Sequence, residues 1–189
     1  MKNIVLPLFI VVALAQWIVP GSIIWKREEV RNKGKAFRFK TEPVDPSHPF
    51  KGRYVALSFK EDRIEVPATA GVNFEYNQEV YAIIKNDDSG FARLQQVTIH
   101  RPATDIDYIT ASVYYTIENA ENGNTVIQLR YPFDVFYMDE YKAPRAETVY
   151  RKSTIDSTKT TYALIKVWKG KSVLENVFID GKPIGDLVE

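Results

Sequence analysis

Asp134, Asp139, Glu140 and Glu147 are the one group of carboxylates in this chain placed closely enough, around an aromatic run, to act together. Paired carboxylates can hold calcium or divide the roles of general acid and general base. Two of them facing a cleft at a separation of roughly 5–10 Å would suit a glycosidase-like hydrolysis. A calcium loop, however, alternates its oxygen ligands closely around a glycine, and this stretch has none. The plainer role is structural, with Glu140 accepting hydrogen bonds where a strand hands over to a helix. Phe136, Tyr137, Glu140 and Glu147 are therefore the candidate binding residues, and no residue is assigned to catalysis.

Other chemistries find less. The two histidines, His48 and His100, have no neighbour at metal-ligand spacing, so no metal site is expected. The chain has no cysteine, which excludes thiol catalysis and thiolate ligands. A Gly-x-Ser-x-Gly elbow and a phosphate-cradling glycine loop are both absent, and no cofactor is expected. Ser22 and Lys26 lie one turn apart as a serine–lysine pair would, but on one continuous segment, which argues against catalysis there. Aromatic residues are frequent: Tyr114, Tyr115, Tyr131, Phe133, Phe136, Tyr137 and Tyr141. They read first as core and cross-strand pairs and second as a surface for a partner.

The elements that must position these residues read as mostly β. Residues 36–40 and 54–59 alternate as strands do. Residues 79–85 and 91–100 flank the turn signal Asn86-Asp87-Asp88-Ser89-Gly90 and predict a hairpin. A second hairpin is predicted from 107–117 and 125–131, and a third from 162–168 and 173–179 across Lys169-Gly170-Lys171-Ser172. One helix is expected near 144–152, with Pro144 in its first turn, followed by a polar loop over 152–161. The fold class is mainly β (α+β): an antiparallel, sheet-rich domain with one helix packed on it. His100-Arg101-Pro102-Ala103 interrupts the strand pattern, so the domain over 43–189 is expected to divide into two lobes near residue 100.

Residues 4–25 are twenty-two uncharged residues followed at once by Lys26 and Arg27. As a helix they would span roughly 33 Å, enough to cross a hydrocarbon core of about 30 Å. Two readings fit. One is an uncleaved signal anchor over 1–25, with Trp17 and Trp25 near the interfaces. The other is a cleavable signal peptide with Ala13-Leu14-Ala15 as its processing site, which would leave an apolar new N-terminus exposed. The anchor is preferred, with Pro20-Gly21 expected to kink the helix or end it early. Residues 26–42 form a basic stalk and first strand. From 26 to 40 there are seven basic residues against two acidic, whereas from 41 onward there are seventeen basic against twenty-two acidic. A basic stalk beneath an acidic domain suits anionic headgroups, and an acidic domain argues against nucleic acid. The positive-inside rule alone would put the domain in the cytoplasm. A segment placed this early has the shape of an export signal, and the extracytoplasmic side is the expectation. The absence of cysteine does not decide between them.

Pro43-Val44-Asp45-Pro46 opens a stiff extended segment, and Gly52 permits an unusual backbone angle just before a strand. Tyr54 and Leu57 are at odd spacing and fall on opposite pleat faces unless a bulge intervenes. This segment, through Pro43, Val44, Asp45, Pro46, Gly52, Tyr54 and Leu57, resembles the family of bacterial membrane-anchored proteins named after the motif GDYxxLxY. Phe136-Tyr137-Met138-Asp139-Glu140 with Glu147 is similar to that family's second run, and Phe178-Ile179-Asp180-Gly181 to its closing strand and turn. The likeness spans roughly residues 1–183. Arg53 stands where the motif has an acid, Phe59 where it has its last tyrosine, and Tyr141 where a glycine is common; the lost acid argues against a catalytic role for the motif here. The resemblance implies no assigned activity and implies polytopic membrane proteins as companions. The expectation is a membrane-anchored, non-enzymatic accessory protein, held in the lipid bilayer through 4–25, that docks a polytopic membrane partner. A small-ligand or peptide-binding module and a carboxylate-dependent hydrolase are the alternatives.

Overall fold

Apolar side chains with no polar stripe run through helix α1 (Lys2–Gln16) and on into α2 (Ile18–Lys33). The computed structural model in which they are seen describes residues 2–43, 54–67, 74–103, 105–118 and 123–188. The helices are interrupted only at Trp17, where the Trp17 N–H donates to the Leu14 carbonyl and the Gly21 N–H to the Trp17 carbonyl. Pro20 explains the interruption. It has no N–H to offer the Gln16 carbonyl four residues back, and its ring crowds that oxygen. The sequence predicts a kink or an early end at Pro20-Gly21; the helix does not end there, and the break falls three residues earlier, at Trp17. The helix resumes at once, and Leu6–Lys33 counts as one stretch of 28 residues, long and apolar enough to span a membrane. The first eight residues of the basic stalk, 26–33, are therefore helical.

Helix α2 ends against the domain. Val30, in its last turn, is buried at 2% exposure. Gly34 turns the chain into strand β1 (Lys35–Glu42) with its N–H on the Val30 carbonyl at 2.8 Å. The backbones are close here: a Cβ on Gly34 would lie 2.3 Å from the Val30 carbonyl oxygen and 3.1 Å from the Val167 nitrogen. Only glycine fits this joint without displacement.

Strand β1 alternates as its sequence requires, with Phe37, Phe39 and Thr41 inward. It is an interior strand of the first sheet. Strands β2 (Tyr54–Ala56) and β3 (Ser58–Phe59) follow, then a 3-10 turn (Lys60–Asp62) and β4 (Arg63–Val66). The two long hairpins come next: β5 (Glu79–Asn86) with β6 (Ala92–Thr98), and β7 (Tyr108–Glu118) with β8 (Thr125–Arg130). Strand β9 (Val135–Tyr137), helix α3 (Ala143–Ile155), strands β10 (Thr161–Trp168), β11 (Lys171–Ile179) and β12 (Lys182–Pro183) and a 3-10 turn (Ile184–Leu187) complete the order. The first sheet runs β12-β11-β10-β1-β3 and the second β4-β8-β7-β5-β6, with β2 and β9 as a separate two-stranded ladder. All named strand pairs are antiparallel. Edge strands β4 and β6 approach each other, so the second sheet curls towards a barrel.

All three predicted hairpins form. The third is tighter than its sequence suggested: Lys169 and Gly170 alone make the turn, both with positive φ (49° and 82°), and β11 begins at Lys171. Such paired left-handed residues match the twist of a two-residue hairpin. The polar loop expected from residue 152 is also shorter, because α3 continues to Ile155. Ser153 and Thr154 turn their hydroxyls back onto the Tyr150 carbonyl, at 2.7 and 3.2 Å, which lets polar residues stay helical. One buried cluster takes Phe37, Phe39, Ile109, Ile127 and Ile165 from both sheets, Val55 from the β2–β9 ladder and Ile184 from the closing 3-10 turn. Its aromatic centre is Phe39, Phe59, Tyr131 and Phe133, with ring centroids 5.0–6.2 Å apart.

Candidate functional site

The two motif-bearing segments, some eighty residues apart in sequence, lie side by side. Tyr54 pairs with Tyr137, Val55 with Phe136 and Ala56 with Val135. The Tyr54 and Tyr137 rings meet edge-on at 5.8 Å. Beyond Ala56 the pairing carries on through the Leu57 N–H, which donates to the Asp134 carbonyl at 2.8 Å. Val55, Leu57 and Phe59 are buried while Tyr54, Ala56 and Ser58 are half-buried, so the alternation is unbroken. Tyr54 and Leu57 thus stand on opposite faces with no bulge between them.

Helix α3 packs across β2. Ala143, Ala146, Tyr150 and Ser153 form its buried stripe, at the three- and four-residue spacing of one helix face. Burial pushes the Tyr150 phenol up to about 12, and its hydroxyl lies 3.5 Å from the Glu42 carbonyl. Asp139 shapes the corner between β9 and α3: its carboxylate accepts the Tyr141 N–H at 2.8 Å and its carbonyl accepts the N–H groups of Lys142 and Ala143. Asp134, Asp139, Glu140 and Glu147 are all exposed. No group of three or more acidic or histidine side chains that could hold a metal occurs among the described residues. Phe136 is half-buried against the core, whereas Tyr137 (74%) and Tyr141 (90%) stand out from the surface on either side of the corner. Tyr131 and Phe133 belong to the core. Pro43 is exposed at the end of β1; Val44, Asp45, Pro46, His48 and Gly52 lie outside the described residues.

Tyr137 and Phe136 also wall a cleft of about 300 Å³ between the end of the long helix and β11. Arg27 and Arg31 line it from α2, Ser172 and Glu175 from β11. The two arginines are four residues apart and share a helix face. Arg31 also has Glu28 at 3.7 Å, an exposed pair of little energetic weight. The Ser172 hydroxyl is buried and finds no partner among the described residues. The two guanidiniums stay charged at neutral pH and offer forked donors suited to an anion. Sequence reasoning did not join Arg27, Arg31, Ser172 and Glu175 to the second motif. The spacing of the two arginines was the available signal, and it needed the helix to continue past Trp25.

A buried polar cluster lies elsewhere. Asp62, 6% exposed, accepts a hydrogen bond from Gln128 at 3.1 Å, and Arg63 Nε stands 3.2 Å from its other oxygen. Burial raises its carboxyl above the usual range. Neighbouring Glu61 accepts from Arg93 at 2.8 Å and from the Leu94 N–H at 2.9 Å, and its carbonyl accepts the Tyr131 hydroxyl. These bonds pin the 3-10 turn to β6 and β8.

The chain belongs to the GDYXXLXY protein family, whose model matches residues 16–177. No curated protein and no solved structure matches it.

Proposed function

We propose that this member of the GDYXXLXY family is a membrane-anchored, non-enzymatic accessory protein that docks a polytopic membrane partner through Tyr137 and Tyr141. The observation that carries the reading is that Tyr137 and Arg27 line one cleft. Arg27 lies about 3 Å along the helix from Trp25, at about 1.5 Å per residue. Tyr137 is thereby held by α2 near the plane where the apolar run ends, with Tyr141 across the Asp139 corner from it. A partner embedded in the same bilayer would meet them there. Exposed tyrosines suit such a role, since they bury much area at little entropic cost. The anchor is the uncleaved helix, and the domain lies on the extracytoplasmic side.

Recovery of a C-terminally tagged chain from crosslinked membranes tests this. One integral membrane protein should come with it in near-equal amount, and Tyr137→Ala with Tyr141→Ala should lose that protein without lowering the melting temperature. Recovery of the chain alone would contradict the reading. Protease added to intact cells should cut the domain; protection there, with cleavage after lysis, would reverse the sidedness.

A further inference from the structure

We infer that the cleft between α2 and β11 seats the headgroup of a zwitterionic phospholipid. Its phosphate would lie between Arg27 and Arg31, and its primary ammonium would reach Glu175 beside Tyr137. The inference rests on the anchoring reading above. Height is the first argument. With Trp25 at the hydrocarbon boundary, Arg27 stands about 3 Å and Arg31 about 9 Å beyond it, whereas the polar layer of one leaflet is roughly 5–8 Å thick. Arg27 therefore lies within that layer, and Arg31 stands about 1 Å past its outer edge, close enough for its flexible stem to carry the guanidinium back to the phosphates. Charge is the second. Two cations and one carboxylate line the cleft. A phosphate carrying a primary ammonium matches both signs, whereas a purely anionic headgroup would leave Glu175 opposed. Chemistry is the third. Guanidinium forks a phosphate, the unpartnered Ser172 hydroxyl supplies a further donor, and an exposed tyrosine ring attracts a cation over its face. An ammonium with N–H groups can donate to Glu175, and a quaternary one cannot. A volume of about 300 Å³ is at the small end for ligand clefts.

A second basic hollow, lined by Lys33, Lys35, Arg101 and Lys169, provides a built-in control. Lys33 is about 12 Å past Trp25, beyond the headgroup layer. Bulk attraction to a membrane would use both places; a headgroup seat uses only the first.

The test begins with alkaline carbonate extraction of membranes carrying the full chain. The purified full chain in detergent is then titrated with phosphatidylethanolamine, phosphatidylglycerol and phosphatidylcholine, and bound lipid is counted by native mass spectrometry. Retention of phosphatidylethanolamine over the other two is expected. Arg27→Gln with Arg31→Gln should weaken it about tenfold at an unchanged melting temperature. Glu175→Gln should keep lipid binding but give up the preference over phosphatidylglycerol, by up to about fivefold. Lys33→Gln with Lys169→Gln should change nothing. Equal binding of the three lipids, or an equal loss in the lysine variant, would overturn the headgroup seat while leaving the anchor standing. Displacement of lipid by soluble phosphoethanolamine at equal concentration would assign the cleft to a soluble ligand and overturn it too. Release of the chain by carbonate would overturn the anchor, and the headgroup seat with it.

Discussion

Tyr131 is a phenol inside the aromatic centre of the core, stacked on Phe133 at 5.0 Å, with its hydroxyl donated to the Glu61 carbonyl. Burial holds its pKa far above the ordinary value, so it stays a donor at every working pH. Tyr131→Phe keeps the ring and strands the Glu61 carbonyl. It should cost about 1–3 kcal/mol in a denaturant titration, and an unchanged midpoint would show that the bond contributes nothing. Asp62 makes a prediction in pH. Its folded pKa is raised above 3.8 by burial, so ionisation is harder in the folded state than in the unfolded one. Its contribution to stability is therefore greatest below about 3.8 and is lost as pH rises through the folded value. Melting curves of wild type and Asp62→Asn from about pH 3 to about pH 8 should show the gap moving against wild type on the way up, then levelling. A constant gap, or one moving in favour of wild type, would contradict this. Neither residue's role was legible in the sequence, because Tyr131 and Asp62 are brought together only by the pairing of β4 with β8.

Elements were read well where periodicity is local. The three hairpins and α3 follow from alternation, turn residues and a first-turn proline. What escaped was fixed by contacts distant in sequence. Helix α2 runs on through polar residues 26–33 because Val30 has a place in the domain and Gly34 lets β1 begin directly beneath it. Residues 54–59 read as a strand from their alternation, but the pairing of β2 with β9 escaped, because β9 has three residues, too few for a periodic signal, and the two pair across some eighty residues. Gly34 tests the joint. Its φ of −71° suits any residue, so Gly34→Ala acts only through the crowding of its Cβ against Val30 and β10. It should cost about 1–3 kcal/mol and speed hydrogen exchange at Val30. Gly170→Ala differs in kind: it adds a left-handed φ of 82° to a Cβ placed 2.4 Å from the Tyr108 ring, and should cost more. If Gly34→Ala were neutral and left exchange unchanged, the helix would not be rigidly joined to the domain.

At the scale of the whole molecule, the long helix, the sheets and the β2–β9 ladder set one corner at a fixed height. Tyr137 and Tyr141 flank that corner, and the arginines of the helix share a cleft with Tyr137. Glu140 and Glu147 are exposed on α3 and its approach. Site-specific photocrosslinking tests the claim most directly. A photoreactive phenylalanine analogue is placed at position 137, at 141 and, as a control, at exposed Lys182 on the edge strand β12. Illumination of intact membranes should link positions 137 and 141 to a single integral membrane protein and leave position 182 unlinked. Adducts of equal yield from all three positions, or none from 137 and 141, would contradict the account.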